Sequence, residues 1–147
     1  VLAARNASLM STMLQEVVRS GTAARAMHLG RSDLGGKTGT TNDFVDAWFA
    51  AYQSDLVAVA CIGFDNPRSL GRNETGSQAA LPMWIDFMKE YLDLYHADRV
   101  KGEPPKFEPP GNIIFMPVDR HTGEPTAADA DGPVTEAFIS GTQPHRQ

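Results

Sequence analysis

The hydrophobic period of this chain switches from helical to alternating and back within residues 1–96, and that switch limits the possible folds more than any other feature. Leu9, Met10, Met13, Leu14, Val17 and Val18 recur at three- and four-residue spacing and stop at Ser20-Gly21. This spacing predicts one amphipathic helix. From Gly36 onward the pattern is strand-like, in three runs of roughly Lys37 to Thr41, Val45 to Tyr52 and Leu56 to Phe64. Asn42-Asp43 and Gln53-Ser54-Asp55 interrupt the runs at hairpin lengths, so consecutive strands are expected to pair antiparallel. After a loop with Pro67, Gly71 and Gly76, helical spacing returns in Leu81, Trp84, Ile85, Met88, Tyr91, Leu92 and Tyr95. Pro82 is expected in or near the first turn of this helix, because deeper inside it would remove a backbone hydrogen bond. The expected fold class is α+β, an antiparallel β-meander covered by flanking helices.

The packed part is expected to end near His96. Eight of the ten prolines lie between Pro104 and Pro144, so residues 1–96 read as one domain portion and 97–147 as a Pro-rich C-terminal extension. Within the extension Ile113, Ile114 and Phe115 are expected to form one short strand and Phe138 and Ile139 another. The chain carries 13 Lys and Arg against 18 Asp and Glu, a formal net charge of -5, with the basic residues scattered from Arg5 to Arg146. That argues against a nucleic-acid partner. Apolar runs such as Leu56 to Gly63 are much shorter than the roughly 18 residues a membrane helix needs, so no membrane contact is expected of this chain itself. A single cysteine, Cys61, leaves no internal disulfide and no cysteine-rich zinc site. The chain opens at Val1 without a leader pattern and reads as a fragment.

Chemistry concentrates in Gly35-Gly36-Lys37-Thr38-Gly39-Thr40-Thr41-Asn42. A phosphate loop is one reading of the Gly-Lys-Thr triplet. It fails on spacing, since Gly30 lies too far before Gly36, and on context, since no apolar strand precedes it and a strand rather than a helix follows. The other reading is an edge strand that recognises a carboxylate. Alternation puts Thr38 and Thr40 on one face, where two hydroxyls can meet the same anion. Gly39 between them leaves room for a ligand backbone, Lys37 adds positive charge, and an edge N–H can serve as half of an oxyanion hole.

Lys-Thr-Gly is the last of three elements, after Ser-x-x-Lys and Ser-x-Asn, found in penicillin-binding proteins and serine β-lactamases. Gly36 to Asn42, Asp46-Ala47-Trp48-Phe49, Gly63-Phe64-Asp65 and Ala79-Ala80-Leu81-Pro82-Met83-Trp84 resemble the C-terminal part of the transpeptidase domain of class A penicillin-binding proteins, particularly the 1A type. Asn6 to Gly21 resembles the preceding helix, while Asp119 with Thr122-Gly123 and Phe138 with Gly141-Thr142 and Pro144 resemble the family's tail. The resemblance implies D,D-transpeptidation of peptidoglycan stem peptides at D-alanyl-D-alanine through an acyl-serine, acylation by β-lactams, and no metal or soluble cofactor. It makes Lys37 and Thr40 catalytic, the latter through its backbone N–H, and Thr38, Gly39, Thr40 and Thr41 substrate-binding. It also implies a parent anchored by one membrane pass on the periplasmic side of the bacterial inner membrane, with a glycosyltransferase domain.

No serine from Ser8 to Ser140 is followed three positions later by lysine or two later by asparagine. The nucleophile and the middle motif therefore lie outside this sequence, and the N-terminal half of the domain is an expected partner. A non-catalytic binding or scaffold module of the same fold is the alternative. Elsewhere, whichever of Trp48 and Phe49 faces inward is expected in the core. Tyr52 either lines the cleft or ends a strand, and Cys61 is expected to be buried and inert. His28, His96, His121 and His145 are read as surface residues, and Asp43 and Asp46 as turn and strand-end hydrogen-bonding groups. The Met and aromatic stripe of the last helix is assigned to the core.

Overall fold

The structure is a computed structural model and describes residues 2–96, 107–127 and 132–145. Contacts group the chain into two compact units, one of residues 13–106 and one of residues 1–12 with 107–147.

Helix α1 spans Ala4–Arg19. In the unit of residues 13–106 the meander is present as expected, with β1 (Gly35–Thr40), β2 (Asp46–Tyr52) and β3 (Val57–Gly63) in the order β1-β2-β3, both pairs antiparallel. Strand β1 starts two residues earlier than the periodicity suggests. Gly35 and Gly36 extend it because they have no side chains: a Cβ on Gly35 would lie 2.6 Å from the Tyr52 ring. Between β1 and β2 the chain turns with Asp43 at φ 58° and Phe44 at φ 55°, and the Val45 N–H donates to Asn42 O at 3.4 Å. Two successive left-handed residues match the twist of a tight hairpin.

Helix α2 spans Leu81–His96, with Pro82 in its first turn and a π-helical turn, Gly76–Ala80, leading into it. The inward face of β2 presents Ala47, Phe49 and Ala51, all buried. Phe49 meets Trp84 of α2 edge to face at 5.1 Å, and Trp84 Nε1 donates to Ala58 O at 3.1 Å. Leu81, Met88, Val18 and Leu34 complete this core, with Ala26 from a short 3-10 segment, Ala24–Leu29, and Ala23 just before it, a stretch that carries no periodic signal in the sequence.

Two expectations of burial are corrected. Cys61 is exposed, because it pairs with Trp48 across β2 and β3 and so shares the outer face of the sheet, where Trp48 is also exposed. The stripe of α2 is core only in part: Leu81, Trp84 and Met88 are buried, but Tyr95 is 66% exposed. The aromatic side chains Phe87, Tyr91 and Tyr95 instead stack on one another along the helix at 6.4 and 5.0 Å.

In the other unit β4 (Ile113–Asp119) and β5 (Pro133–Ile139) form an antiparallel pair, Ile113 opposite Ile139. Both strands run longer than the apolar residues alone suggest. Pro117 is tolerated because its backbone groups face away from β5, toward the Thr126 N–H that its O accepts at 3.1 Å, and Pro133 because it is the first residue of its strand. Asp119 accepts N–H bonds from His121 and Thr122, both at 2.8 Å, which hold its carboxyl below the usual carboxylate range.

Candidate active site

Strand β1 carries Lys37, Thr38, Gly39 and Thr40, and Thr41 follows it directly. Thr38 pairs with Phe49 and Thr40 with Ala47, so both threonines share the helix-covered face of the sheet, at its edge. The Thr41 N–H donates to Asp46 O at 3.0 Å, so the odd-numbered residues of this stretch turn their backbone groups toward β2. By alternation, Thr38 and Thr40 turn theirs to the open edge. The Thr40 N–H is thus free of the ladder. Lys37 is exposed and donates from Nζ to the edge carbonyl of Thr38 at 2.7 Å, which holds its charge beside that edge.

Each threonine hydroxyl has a defined neighbour. Thr38 Oγ1 lies 2.8 Å from Thr22 Oγ1, and Thr40 Oγ1 accepts the Gly76 N–H at 3.0 Å. Gly76 sits against the backbone of β1 and β2: a Cβ there would lie 2.6 Å from Gly39 O, 3.0 Å from Gly39 N and closer still to Trp48 O. Thr41 differs, because its hydroxyl accepts the Asp46 N–H at 2.7 Å and donates back to Asp46 O at 3.3 Å. It closes the hairpin. Gly39 has only the Trp48 side chain near the place a Cβ would take, at 3.3 Å, so a chain approaching the edge meets no side chain from it.

Thr22 and Gly76 were not singled out by sequence reasoning. Gly76 is visible only as one loop glycine among several, and Thr22 only as a residue after a helix stop. Their links to the strand cross 16 and 36 residues, which no local pattern records.

A second polar cluster braces the start of β1 from the side. Arg31 donates to both oxygens of the buried Asp33, at 2.8 and 2.6 Å, and to Gln53 Oε1 at 2.9 Å, while the Ser54 N–H donates to Asp33 at 3.1 Å. Burial pushes the Asp33 carboxyl up, but the bonds from Arg31 and Ser54 and the guanidinium charge outweigh it and leave the carboxyl below its ordinary value. This cluster ties the β2–β3 turn to the segment before β1. Among the described residues no group of His, Cys, Asp and Glu side chains is placed to hold a metal ion, and no helix is long and apolar enough to cross a membrane. An apolar groove of about 520 Å³ runs along Leu56 to Cys61 and α2, on the β3 side of the sheet and away from β1.

No family model matches the chain. Penicillin-binding protein 1A of Pseudomonas aeruginosa is 42% identical over 144 residues, 98% of this chain and 17% of that protein. Penicillin-binding protein 1A of Neisseria lactamica is 49% identical over 102 residues, 69% of this chain and 12% of that protein. The crystal structure of penicillin-binding protein 1A from Haemophilus influenzae superposes with a TM-score of 0.81 at 35% identity, covering 99% of this chain and 22% of that one. The chain thus spans about a sixth of the length of the first of these curated relatives. With likeness in sequence and in fold running over nearly all of its residues, the chain belongs to the penicillin-binding protein 1A family, of which it is a partial segment.

Proposed function

We propose that the chain supplies one wall of a serine D,D-transpeptidase site, in which a serine outside these residues attacks the D-alanyl-D-alanine bond of a peptidoglycan stem peptide. The acyl-serine is then released by an amine of a second stem peptide, and β-lactams acylate the same serine. In this reading Thr38 and Thr40 donate to the substrate's terminal carboxylate. The Thr40 N–H, turned to the open edge, is one donor of the oxyanion hole. Lys37 supplies positive charge for proton transfer and attraction of the anion, and Gly39 keeps the edge low enough for the peptide to lie along it. Thr41 contributes by holding the hairpin. Residues 1–96 belong to the transpeptidase domain and 97–147 to a C-terminal extension. The intact protein, anchored in the inner membrane with a glycosyltransferase domain, works on the periplasmic side.

The observation that carries this reading is two hydroxyls on one face of an edge strand beside a Thr40 N–H that, by alternation, turns away from β2. The test is Thr40→Val in the intact transpeptidase, which keeps the N–H and the branched shape but removes the hydroxyl. A hydrogen bond to a charged group contributes about 1.5–3 kcal/mol, so acylation by a β-lactam with a free carboxylate should fall about 10- to 150-fold. The methyl ester of the same β-lactam should lose much less. Equal losses for acid and ester would withdraw the carboxylate role. Because Thr40→Val also strands the buried Gly76 N–H, the variant's stability is measured alongside.

A further inference from the structure

We infer that Thr22 is a positioning residue for carboxylate recognition: its hydroxyl donates to Thr38 Oγ1 and thereby commits the single Thr38 proton to the bound anion. The inference rests on the reading of Thr38 and Thr40 as carboxylate donors. A hydroxyl has one proton and two lone pairs, and a carboxylate only accepts. When Thr38 donates to an anion, its contact with Thr22 at 2.8 Å holds only if Thr22 is the donor. The same arrangement recurs one position along the face, where Thr40 Oγ1 accepts the Gly76 N–H at 3.0 Å. That group has no alternative direction, so Thr40 too is left with its proton for the ligand. Both hydroxyls thus have a donor behind them, and both are set to donate forward. An arrangement of this kind favours a charged carboxylate over a neutral ester or amide, because each bond in the chain polarises the next.

The backbone around Thr22 is fixed independently of the threonine itself. Gly21 and Ala23 both donate their N–H groups to Val17 O, at 3.1 and 3.2 Å, which folds the chain back on the end of α1. A Cβ on Gly21 would lie 2.8 Å from that same oxygen, so the reversal requires glycine there. Ala23 and Ala26 are fully buried immediately afterwards. Thr22 itself is exposed, between an anchored glycine and an anchored alanine, with its hydroxyl against Thr38. An exposed threonine contributes little packing, so its place here is explained by the hydroxyl contact.

The experiment uses the intact transpeptidase and measures the acylation rate constants of one β-lactam as free acid and as methyl ester, for wild type, Thr22→Val, Thr22→Ser, Thr38→Val and the Thr22→Val/Thr38→Val double variant. The readout is the acid-to-ester ratio, in which any unfolded fraction cancels because both ligands meet the same preparation. Without Thr22 the Thr38 hydroxyl regains its staggered positions and loses polarisation, so Thr22→Val should lower the ratio about three- to tenfold. Thr22→Ser should restore it, and Thr22→Val should change nothing further once Thr38 is valine. If Thr38→Val lowers the ratio but Thr22→Val leaves it at the wild-type value, the role of Thr22 is overturned while the carboxylate reading stands. If Thr38→Val leaves the ratio unchanged, the carboxylate reading falls, and the role of Thr22 with it.

Discussion

Gly76→Ala puts one methyl group where the structure has none to spare. The new Cβ would lie 2.6 Å from Gly39 O and closer still to Trp48 O, whereas ordinary contact begins near 3.4 Å. The obstructing atoms are backbone of β1 and β2, so no side chain can swing aside, and relief requires the loop or the strand to move by about 1 Å. Overpacking of this kind costs about 1–3 kcal/mol. Movement of the loop also weakens the Gly76 N–H bond to Thr40, worth another ~0.5–1.5 kcal/mol. The expected loss of unfolding free energy is therefore about 1.5–4.5 kcal/mol, read from denaturant titration of the intact protein. If β1 is what moves, its two threonines move with it. A misplacement of about 1 Å at a reacting site costs on the order of 100-fold, so β-lactam acylation should fall by that order in the fraction that stays folded. Gly111→Ala is the control, because nothing lies within 4 Å of its added Cβ. It should stay within about 0.5 kcal/mol of wild type. Should Gly76→Ala behave like Gly111→Ala in stability and acylation alike, the close approach of this loop to β1 would have no role in holding the strand.

Lys37→Ala should leave the melt near wild type, since the side chain is exposed, and slow acylation more than about tenfold; unchanged acylation would make this lysine an ordinary surface residue. Asp33→Ala should cost about 3–5 kcal/mol in denaturant titration, because the largely covered Arg31 loses its carboxylate and keeps only Gln53 Oε1. The Asp33 carboxyl is held below its ordinary value of 3.8, so its contribution is full above that pH and is lost as pH falls through the lowered folded value. Wild type should therefore lose more stability on acidification than Asp33→Asn, and equal acid slopes would refute the assignment. Trp84→Phe should cost about 1–3 kcal/mol by removing the indole bond to Ala58 O and leaving a gap in the core, and Trp84→Ala about 3–5 kcal/mol, both read by urea denaturation.

How much of this was legible in the sequence differs by element. The three strands and their order follow from alternation broken at hairpin lengths, and Pro82 marks the start of α2 correctly because its missing N–H belongs in a first turn. Strand β1 begins earlier than its side chains suggest because Gly35 and Gly36 contribute pairing without periodicity. Cys61 was misjudged from composition: a run of small apolar residues reads as buried on both faces, whereas only Ala60 of Val59, Ala60 and Cys61 turns inward. In β4 and β5 the prolines masked strands that pair through seven residues each. The candidate site is legible as a motif, Lys37 to Thr40, but not as a hydrogen-bonded assembly. Thr22 and Gly76 enter through contacts between distant parts of the chain, and those exist only once the sheet has formed.

The hairpin that ends β1 has a stereochemical consequence. Asp43 and Phe44 both occupy the left-handed region, at φ 58° and 55°, where an L-residue costs about 1–2 kcal/mol. A D-amino acid occupies the same region without that penalty. The turn is kept in place by the two Thr41 hydroxyl bonds to Asp46 on one side and by the Leu70 N–H on Phe44 O, at 2.8 Å, on the other. At two consecutive positions just beyond Thr40, then, the backbone follows the preference of the opposite enantiomer. A chemically synthesised chain with D-residues there would close this hairpin with less opposition from its own backbone than the ribosomal chain does.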